Sequence, residues 1–178
     1  MPHIALDENL PGISALFAYR PETAAPLGQL AEVLLRGPSS LSVGERELIG
    51  AVVSRGNDCT FCSRSHAAVA AEALEGGMPV VEAAWQDVDG APVSAKVKAL
   101  LHVALAVREG GKSVSEDLIA AARTEGATDV EIHDTVLIAA AFCMFNRYVD
   151  GLATLAPDDQ DAYKATGIRL LEDGYTRL

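Results

Sequence analysis

Two cysteines and a histidine follow one another at helical spacing in the segment Cys59-Thr60-Phe61-Cys62-Ser63-Arg64-Ser65-His66. Because an α-helix turns about 100° per residue, positions i, i+3 and i+7 fall on one face, with the histidine one turn beyond the second thiol. Thiolate is the reactive form of cysteine, and a free thiol with a pKa of about 8.5 is mostly protonated at neutral pH. The pattern therefore predicts a redox-active dithiol whose proton is accepted by His66.

Glu47 is the candidate carboxylate for this site. It lies twelve residues before Cys59 on the preceding predicted helix, and the Gly56-Asn57 turn is expected to fold the two helices against each other. A carboxylate beside an imidazole orients the ring and stabilises its charged form. We therefore predict that His66 accepts the thiol proton and that Glu47 orients His66 and stabilises its charge.

Such a dithiol can reduce a peroxide. One cysteine attacks a peroxide oxygen and becomes a sulfenic acid, and the other condenses with it to a disulfide and releases water. An external dithiol then restores the pair by exchange. Position alone leaves the first attacker open, because the helix start favours thiolate at Cys59, whereas Cys62 has the histidine. Asp58, at the predicted cap of this helix, disfavours thiolate at Cys59.

The composition limits the class of protein. The chain has 178 residues, 49% of them hydrophobic and 22% charged, which is enough for the core of one domain. A formal net charge of −11 repels phosphate backbones and anionic membranes, so we expect neither nucleic-acid nor membrane partners. The N-terminus lacks the features of a secretory signal, the longest apolar run is too short for a membrane span, and the cysteine count is odd. We therefore expect a cytoplasmic protein.

The pattern of apolar residues is helical nearly throughout, which predicts an all-α fold. We expect an N-terminal arm over residues 1–20, a helical domain over residues 21–155, and a C-terminal helix over residues 156–178. We predict that this helix spans about Asp158 to Tyr175. It is expected to pack on the same domain or on a neighbouring subunit. Asp58 is expected to cap the helix that carries both cysteines, over about Cys59 to Leu74.

Two capping boxes, Ser42 with Glu45 and Thr128 with Glu131, predict two further helix starts. The helix after Thr128 is apolar on every face from Val136 to Phe145, so we expect it to be the buried centre of the fold. Aligning the boxes also suggests an internal repeat of helix pairs, which places His133 at the position of Glu47. On that alignment His133 lines the same cavity, although a structural role is the simpler interpretation; Cys143 is expected to be core packing.

The spacing of Glu47, Cys59, Cys62 and His66 resembles the active-site signature of the alkylhydroperoxidase D-like group in the carboxymuconolactone decarboxylase superfamily. The stretches 41–47, 128–134 and 146–151 resemble the peroxidase-related enzymes of that group. The resemblance implies a multi-helical alkylhydroperoxidase D-like bundle that forms homo-oligomers, whether dimers, trimers or hexamers. It also implies that Cys62 attacks the peroxide, that Cys59 resolves the sulfenic acid, and that Glu47 and His66 form the proton relay.

One departure from that signature concerns Phe61. The best-studied type of the group carries a second histidine just before the second cysteine, where this chain has Phe61, so we expect a more apolar pocket. The namesake decarboxylases generally lack the cysteine pair, so we do not expect lactone decarboxylation.

The sequence thus predicts a thiol-dependent peroxidase that cycles through a Cys59–Cys62 disulfide. Its expected partners are a hydroperoxide substrate and an external dithiol reductant, either a lipoyl-bearing or a thioredoxin-like protein. No metal, flavin or haem is expected. A structural zinc site needs four ligands and this cluster supplies three, and the sequence has no phosphate-cradling glycine motif. The alternatives are a protein dithiol–disulfide oxidoreductase or redox sensor, and a non-catalytic helical oligomeric binding protein whose cysteines are inert.

Overall fold

A computed structural model describes residues 1–176, and the last two residues of the predicted C-terminal segment, 177 and 178, lie outside that part. The described chain forms nine α-helices and one short 3-10 helix and contains no strand, which confirms the all-α prediction. The helices are α1 (Gly12–Tyr19), α2 (Pro21–Arg36), α3 (Val43–Gly56), α4 (Thr60–Ala73), α5 (Met78–Gln86), α6 (Ala95–Glu109), α7 (Glu116–Thr124), α8 (Asp129–Gly151) and α9 (Gln160–Asp173), with the 3-10 helix at Gly111–Ser113. Within residues 1–176 no helix has the length and apolarity that a membrane crossing requires.

Both predicted capping boxes form. The Ser42 hydroxyl accepts the N–H of Glu45, and the Glu45 carboxylate accepts the N–H of Ser42 at 2.7 Å. Thr128 and Glu131 make the same pair of bonds at the start of α8. Each box satisfies backbone donors of a first helical turn, which fixes where α3 and α8 begin. The internal repeat of helix pairs stays a prediction.

The core is organised around α3, which packs against α4, α6 and α8. Leu48, Ile49 and Val53 of α3 are at most 1% exposed. They meet equally buried side chains of α6 and α8 in one apolar cluster. The predicted site residue Glu47 belongs to this buried part of α3. Its carboxylate therefore lies inside the protein rather than at the surface.

The prediction that α8 is the buried centre of the fold is wrong for one of its sides. Ile138, Phe142 and Phe145 point into the core, but Val130, Leu137 and Met144 are 64%, 38% and 43% exposed. The three exposed residues are seven positions apart, so they lie along one side of the helix. We call Val130, Leu137 and Met144 the α8 seam; within this chain α8 is covered on one side only.

Glu131 is a buried carboxylate that joins three segments of the chain. It accepts hydrogen bonds from Lys96 Nζ at 2.7 Å, from the Ser40 hydroxyl at 2.9 Å and from the backbone N–H of Thr128 at 2.8 Å. Burial disfavours its charged form, but the donors, of which the Lys96 ammonium is the strongest, outweigh burial and lower the pKa of Glu131 to about 2. The ionised side chain therefore stabilises the fold.

We expect Glu131→Gln to lower the free energy of unfolding at pH 7 by about 2–3 kcal/mol, because Lys96 would face a neutral amide. The folded-state pKa lies below the ordinary value of 4.5. The contribution is therefore complete above about pH 4.5 and is lost as the pH falls toward 2. Urea unfolding of wild type and variant across this range measures it, with the exposed Glu125→Gln as control. A difference that stays constant with pH would contradict the assignment.

The C-terminal helix α9 packs against α4 of the same chain. It ends at Asp173 rather than at Tyr175, because Gly174 adopts a φ of +78°, a left-handed conformation that glycine tolerates and that terminates helices. The turn at Gly174 directs Tyr175 back into the protein, where this side chain is only 6% exposed. The division into arm, domain and C-terminal helix stays a prediction.

Candidate active site

Both cysteines lie where α3 turns into α4. Asp58 does not cap α4, contrary to the prediction: it adopts a φ of +57°, which aspartate tolerates better than most residues, and its N–H donates to Arg55 O in the turn. The N-cap is Cys59, with φ −79° and ψ 96°, and the helix begins at Thr60. Cys59 and Cys62 are therefore the N-cap and third residues of α4, and their side chains meet at the first turn.

The two thiols are buried and interact directly. Cys59 is fully buried and Cys62 is 4% exposed. The thiol of Cys59 donates toward the Cys62 sulfur, and this bond, together with burial, raises the pKa of Cys59 well above its ordinary value. The same bond lowers the pKa of Cys62 against the effect of burial, and the charge of His66 lowers it further. Electrostatics therefore favour thiolate at Cys62 rather than at Cys59.

The structure brings Glu47 and His66 together as the sequence predicted. His66 Nδ1 lies 2.7 Å from Glu47 Oε2, and the carboxylate is fully buried while the imidazole is 15% exposed. An ionised carboxylate can only accept, so Nδ1 carries the proton of this bond. The other ring nitrogen, Nε2, is then left to exchange a proton with Cys62 or with a bound molecule. The edge of the ring meets Phe142, with centroids 4.5 Å apart.

Tyr175 completes this group and was missed by the sequence analysis. Its hydroxyl donates to Glu47 Oε1 at 2.7 Å, and its ring stacks on His66 with centroids 5.8 Å apart. The available signal was Gly174, since a glycine near the end of a helical pattern often marks a helix stop and so separates the following aromatic residue from the helix. The pattern of apolar residues alone assigned Tyr175 to the helix.

Asn146 of α8 also contacts Cys62. It is 1% exposed, donates to Ser54 Oγ at 2.9 Å and accepts from Asn57 Nδ2 at 2.8 Å. These two bonds fix the amide, which also donates toward Cys62 and helps to lower the pKa of that thiol. Asn146 belongs to the stretch 146–151 of the family resemblance; from the sequence we expect it, with Arg147 and Asp150, to tie chain ends or subunits together by hydrogen bonds, and the sequence does not place it beside Cys62.

Cys62 and His66 line a small cavity of about 50 Å³. Most of its remaining wall is apolar and includes Phe61, Phe142 and Phe145; Cys59 is not part of the wall. An open cleft of about 710 Å³ lies between α1, α2 and the C-terminal segment. Phe17, Gly28 and Tyr175 line both spaces, so the two spaces adjoin at these residues. Cys62 is thus the thiol presented to a molecule in the cavity.

The other candidate residues lie apart from this group. His133, 70% exposed, pairs with Asp134 at 2.9 Å on the surface and does not line the cavity. His102 pairs with Asp89 at 2.8 Å, also at the surface. Cys143 is buried in the core, with its sulfur 3.5 Å from Asn57 Nδ2. No group of three or more histidine, cysteine or acidic side chains among residues 1–176 has a geometry suited to a metal ion.

Solved structures with this fold define its class. A peroxidase-related protein from Silicibacter sp. TM1040 superposes with a TM-score of 0.77 and 25% identity, over 88% of this chain and 80% of that one. A peroxidase-related protein from Ralstonia eutropha JMP134, described as an alkylhydroperoxidase AhpD core, superposes with a TM-score of 0.78 and 25% identity, over 89% and 81% of the two chains. The fold is therefore that of the alkylhydroperoxidase D-like helical proteins.

The sequence itself matches the carboxymuconolactone decarboxylase family over residues 21–91, a range that contains Glu47, both cysteines of the pair and His66. No curated protein shows significant sequence similarity to the chain. The structural matches and this family match support the resemblance to the alkylhydroperoxidase D-like/carboxymuconolactone decarboxylase superfamily that the sequence indicated.

Proposed function

We propose that the protein is a thiol-dependent peroxidase that reduces hydroperoxides through a Cys59–Cys62 disulfide. The observation that carries this proposal is the placement of Cys62, whose pKa is lowered chiefly by the hydrogen bond from Cys59, in the wall of a cavity that it shares with His66. The description of both structural neighbours as peroxidase-related supports the same general role.

The first step forms a sulfenic acid on Cys62. His66 Nε2 accepts the thiol proton while Glu47 holds the ring by Nδ1. The thiolate attacks the terminal oxygen of the hydroperoxide, the O–O bond breaks, and its electron pair leaves on the departing oxygen. His66 returns its proton to that oxygen, so the products are an alcohol, or water, and Cys62–SOH. The wall of the cavity is mostly apolar, and a low local dielectric strengthens each of these electrostatic interactions.

The second step forms the disulfide. The sulfur of Cys59 attacks the sulfur of Cys62–SOH, the S–O bond breaks, and the departing hydroxide takes the Cys59 proton to leave as water. An external dithiol then supplies two electrons: one of its thiolates attacks the disulfide, and its second thiol displaces the mixed disulfide and restores the pair.

The dimensions of the site indicate which substrates it admits. A cavity of about 50 Å³ holds the –OOH group but not the whole of a larger hydroperoxide, and its apolar wall suits an alkyl substituent. Burial of both thiols favours a small oxidant over a protein disulfide as substrate. It also favours a reductant with a slender dithiol arm, such as a lipoyl group. We further propose that copies of the chain associate, for which the exposed α8 seam is the supporting observation.

A steady-state assay tests the proposal. Hydrogen peroxide and an organic hydroperoxide would each be offered with dihydrolipoamide or a reduced thioredoxin-like protein as donor. We expect turnover with at least one pair, and loss of turnover after alkylation of the reduced protein. A protein that forms no Cys59–Cys62 disulfide on addition of stoichiometric peroxide would not be the enzyme described here.

A further inference from the structure

The C-terminal segment is held on α2 by residues four positions apart. Arg36 Nη1 donates to the carbonyls of Leu170 and Leu171 at 3.1 Å and 2.9 Å, at the end of α9. Glu32, paired with Arg36 at 3.3 Å, accepts the backbone N–H of Tyr175 at 2.8 Å. Because residues i and i+4 share a helix face, one side of α2 binds both the last turn of α9 and the backbone of Tyr175.

Gly28 extends the same face of α2 toward the cavity. A Cβ at this position would lie 2.8 Å from the carbonyl oxygen of Tyr175, closer than real Cβ contacts allow. Glycine is thus what lets the backbone of the C-terminal segment lie against α2. Gly28, Glu32 and Arg36 form what we call the α2 track, and each of them contacts the C-terminal part of the chain.

The α2 track places the Tyr175 hydroxyl at the proton relay. The oxygen lies 2.7 Å from Glu47 Oε1 and 3.3 Å from His66 Nδ1. Burial, and then the charge of Glu47, raise the pKa of Tyr175 well above its ordinary value, so the hydroxyl stays protonated and acts as a donor. With one carboxylate oxygen bound to Tyr175, the other is fixed as the acceptor for His66.

We propose that Tyr175 is a positioning residue for the proton relay: its hydroxyl fixes the Glu47 carboxylate, so that His66 presents Nε2 to Cys62. This inference rests on the proposed function. It makes the segment after α9, outside the family match at residues 21–91, part of the site. Without the hydroxyl, the carboxylate can rotate and the imidazole is less well held beside the thiol.

Tyr175→Phe tests the role of the hydroxyl alone, because the ring that lines both the cavity and the cleft is retained. We expect kcat/KM for the hydroperoxide to fall about tenfold. We also expect the pH midpoint for alkylation of Cys62, followed by tandem mass spectrometry, to rise, which corresponds to about threefold less thiolate at a fixed pH below the midpoint. The pKa of Cys62 rises because a loosened imidazole stabilises its thiolate less.

Tyr19→Phe is the matched control, because Tyr19 is 57% exposed on α1. A merely structural role for Tyr175 would lower Tm without moving the alkylation midpoint. Gly28→Ala, which displaces the Tyr175 carbonyl and leaves every relay side chain intact, is expected to raise the midpoint in the same direction. Midpoints of both variants equal to that of Tyr19→Phe would overturn the proposal.

The two readouts separate this inference from the proposed function. Alkylation of Cys62 needs no hydroperoxide, so its midpoint can be measured even in a protein without peroxidase turnover. A raised midpoint in a protein that does not reduce peroxides would support the positioning role and overturn the peroxidase. Normal turnover in the wild type, together with unchanged kcat/KM and an unchanged alkylation midpoint in Tyr175→Phe, would support the peroxidase and overturn the positioning role.

Discussion

Cys62→Ser is expected to lower kcat/KM for hydroperoxides by at least about 10³-fold, because a serine hydroxyl cannot supply the nucleophile that attacks the O–O bond. Cys62 is the thiol that lines the cavity and the one whose pKa the Cys59 hydrogen bond lowers. Steady-state turnover with hydrogen peroxide and an organic hydroperoxide measures the loss. Equal activity in variant and wild type would refute the assignment of Cys62.

Cys59→Ser is expected to have a different effect. The first step survives, but no second thiol condenses with the product, so sulfenic acid accumulates at Cys62 and can be trapped with a dimedone reagent and located by mass spectrometry. Cys143→Ser, which removes a buried thiol outside the cavity, is the matched control and should retain turnover. Sulfenic acid trapped at Cys59 in the Cys62→Ser variant would reverse the two roles.

The second large effect is expected for Glu47→Gln. The ionised carboxylate accepts hydrogen bonds on both oxygens, from Tyr175 and from His66. A carboxamide of the same shape has one oxygen; if this oxygen binds the tyrosine hydroxyl, the NH₂ group faces His66 Nδ1 and favours the tautomer with its proton on Nε2. That nitrogen can then no longer accept the Cys62 proton. We expect kcat/KM to fall by about 10²- to 10⁴-fold.

Single-turnover formation of sulfenic acid measures this loss directly, since it isolates the step in which His66 accepts the proton. Thermal unfolding of the same sample checks that the isosteric variant keeps its fold. The exposed Glu75→Gln controls for the loss of one negative charge from the surface. A rate for Glu47→Gln within twofold of wild type would remove the carboxylate from the relay.

The sequence predicted what local interactions determine. Ser42 with Glu45 and Thr128 with Glu131 gave the starts of α3 and α8, because a capping box satisfies donors within its own first turn. The short connection over residues 57–59 folds α3 and α4 into a hairpin. The spacing from Glu47 to His66 then brings the carboxylate to the imidazole, so this contact followed from the length of the turn and from the family signature.

Contacts between distant segments were not predictable in the same way. Tyr175 reaches Glu47 across 128 positions of sequence, and only the packing of α9 and the α2 track sets that contact. The left-handed conformation of Asp58 was also missed, because aspartate is equally suited to the cap position that its neighbour Cys59 occupies. An apolar pattern likewise shows that α8 is hydrophobic, but it does not show which of its faces the chain covers.

The position of Cys59 at the N-cap of α4 has a consequence for the cycle as a whole. Its N–H donates to Ser54 O outside α4, and its carbonyl accepts the N–H of Ser63. A bond between the two sulfurs therefore links side chains without opening any backbone hydrogen bond of the helix. The protein would pass between its two redox states with its secondary structure unchanged, and far-ultraviolet circular dichroism would record the same spectrum before and after oxidation.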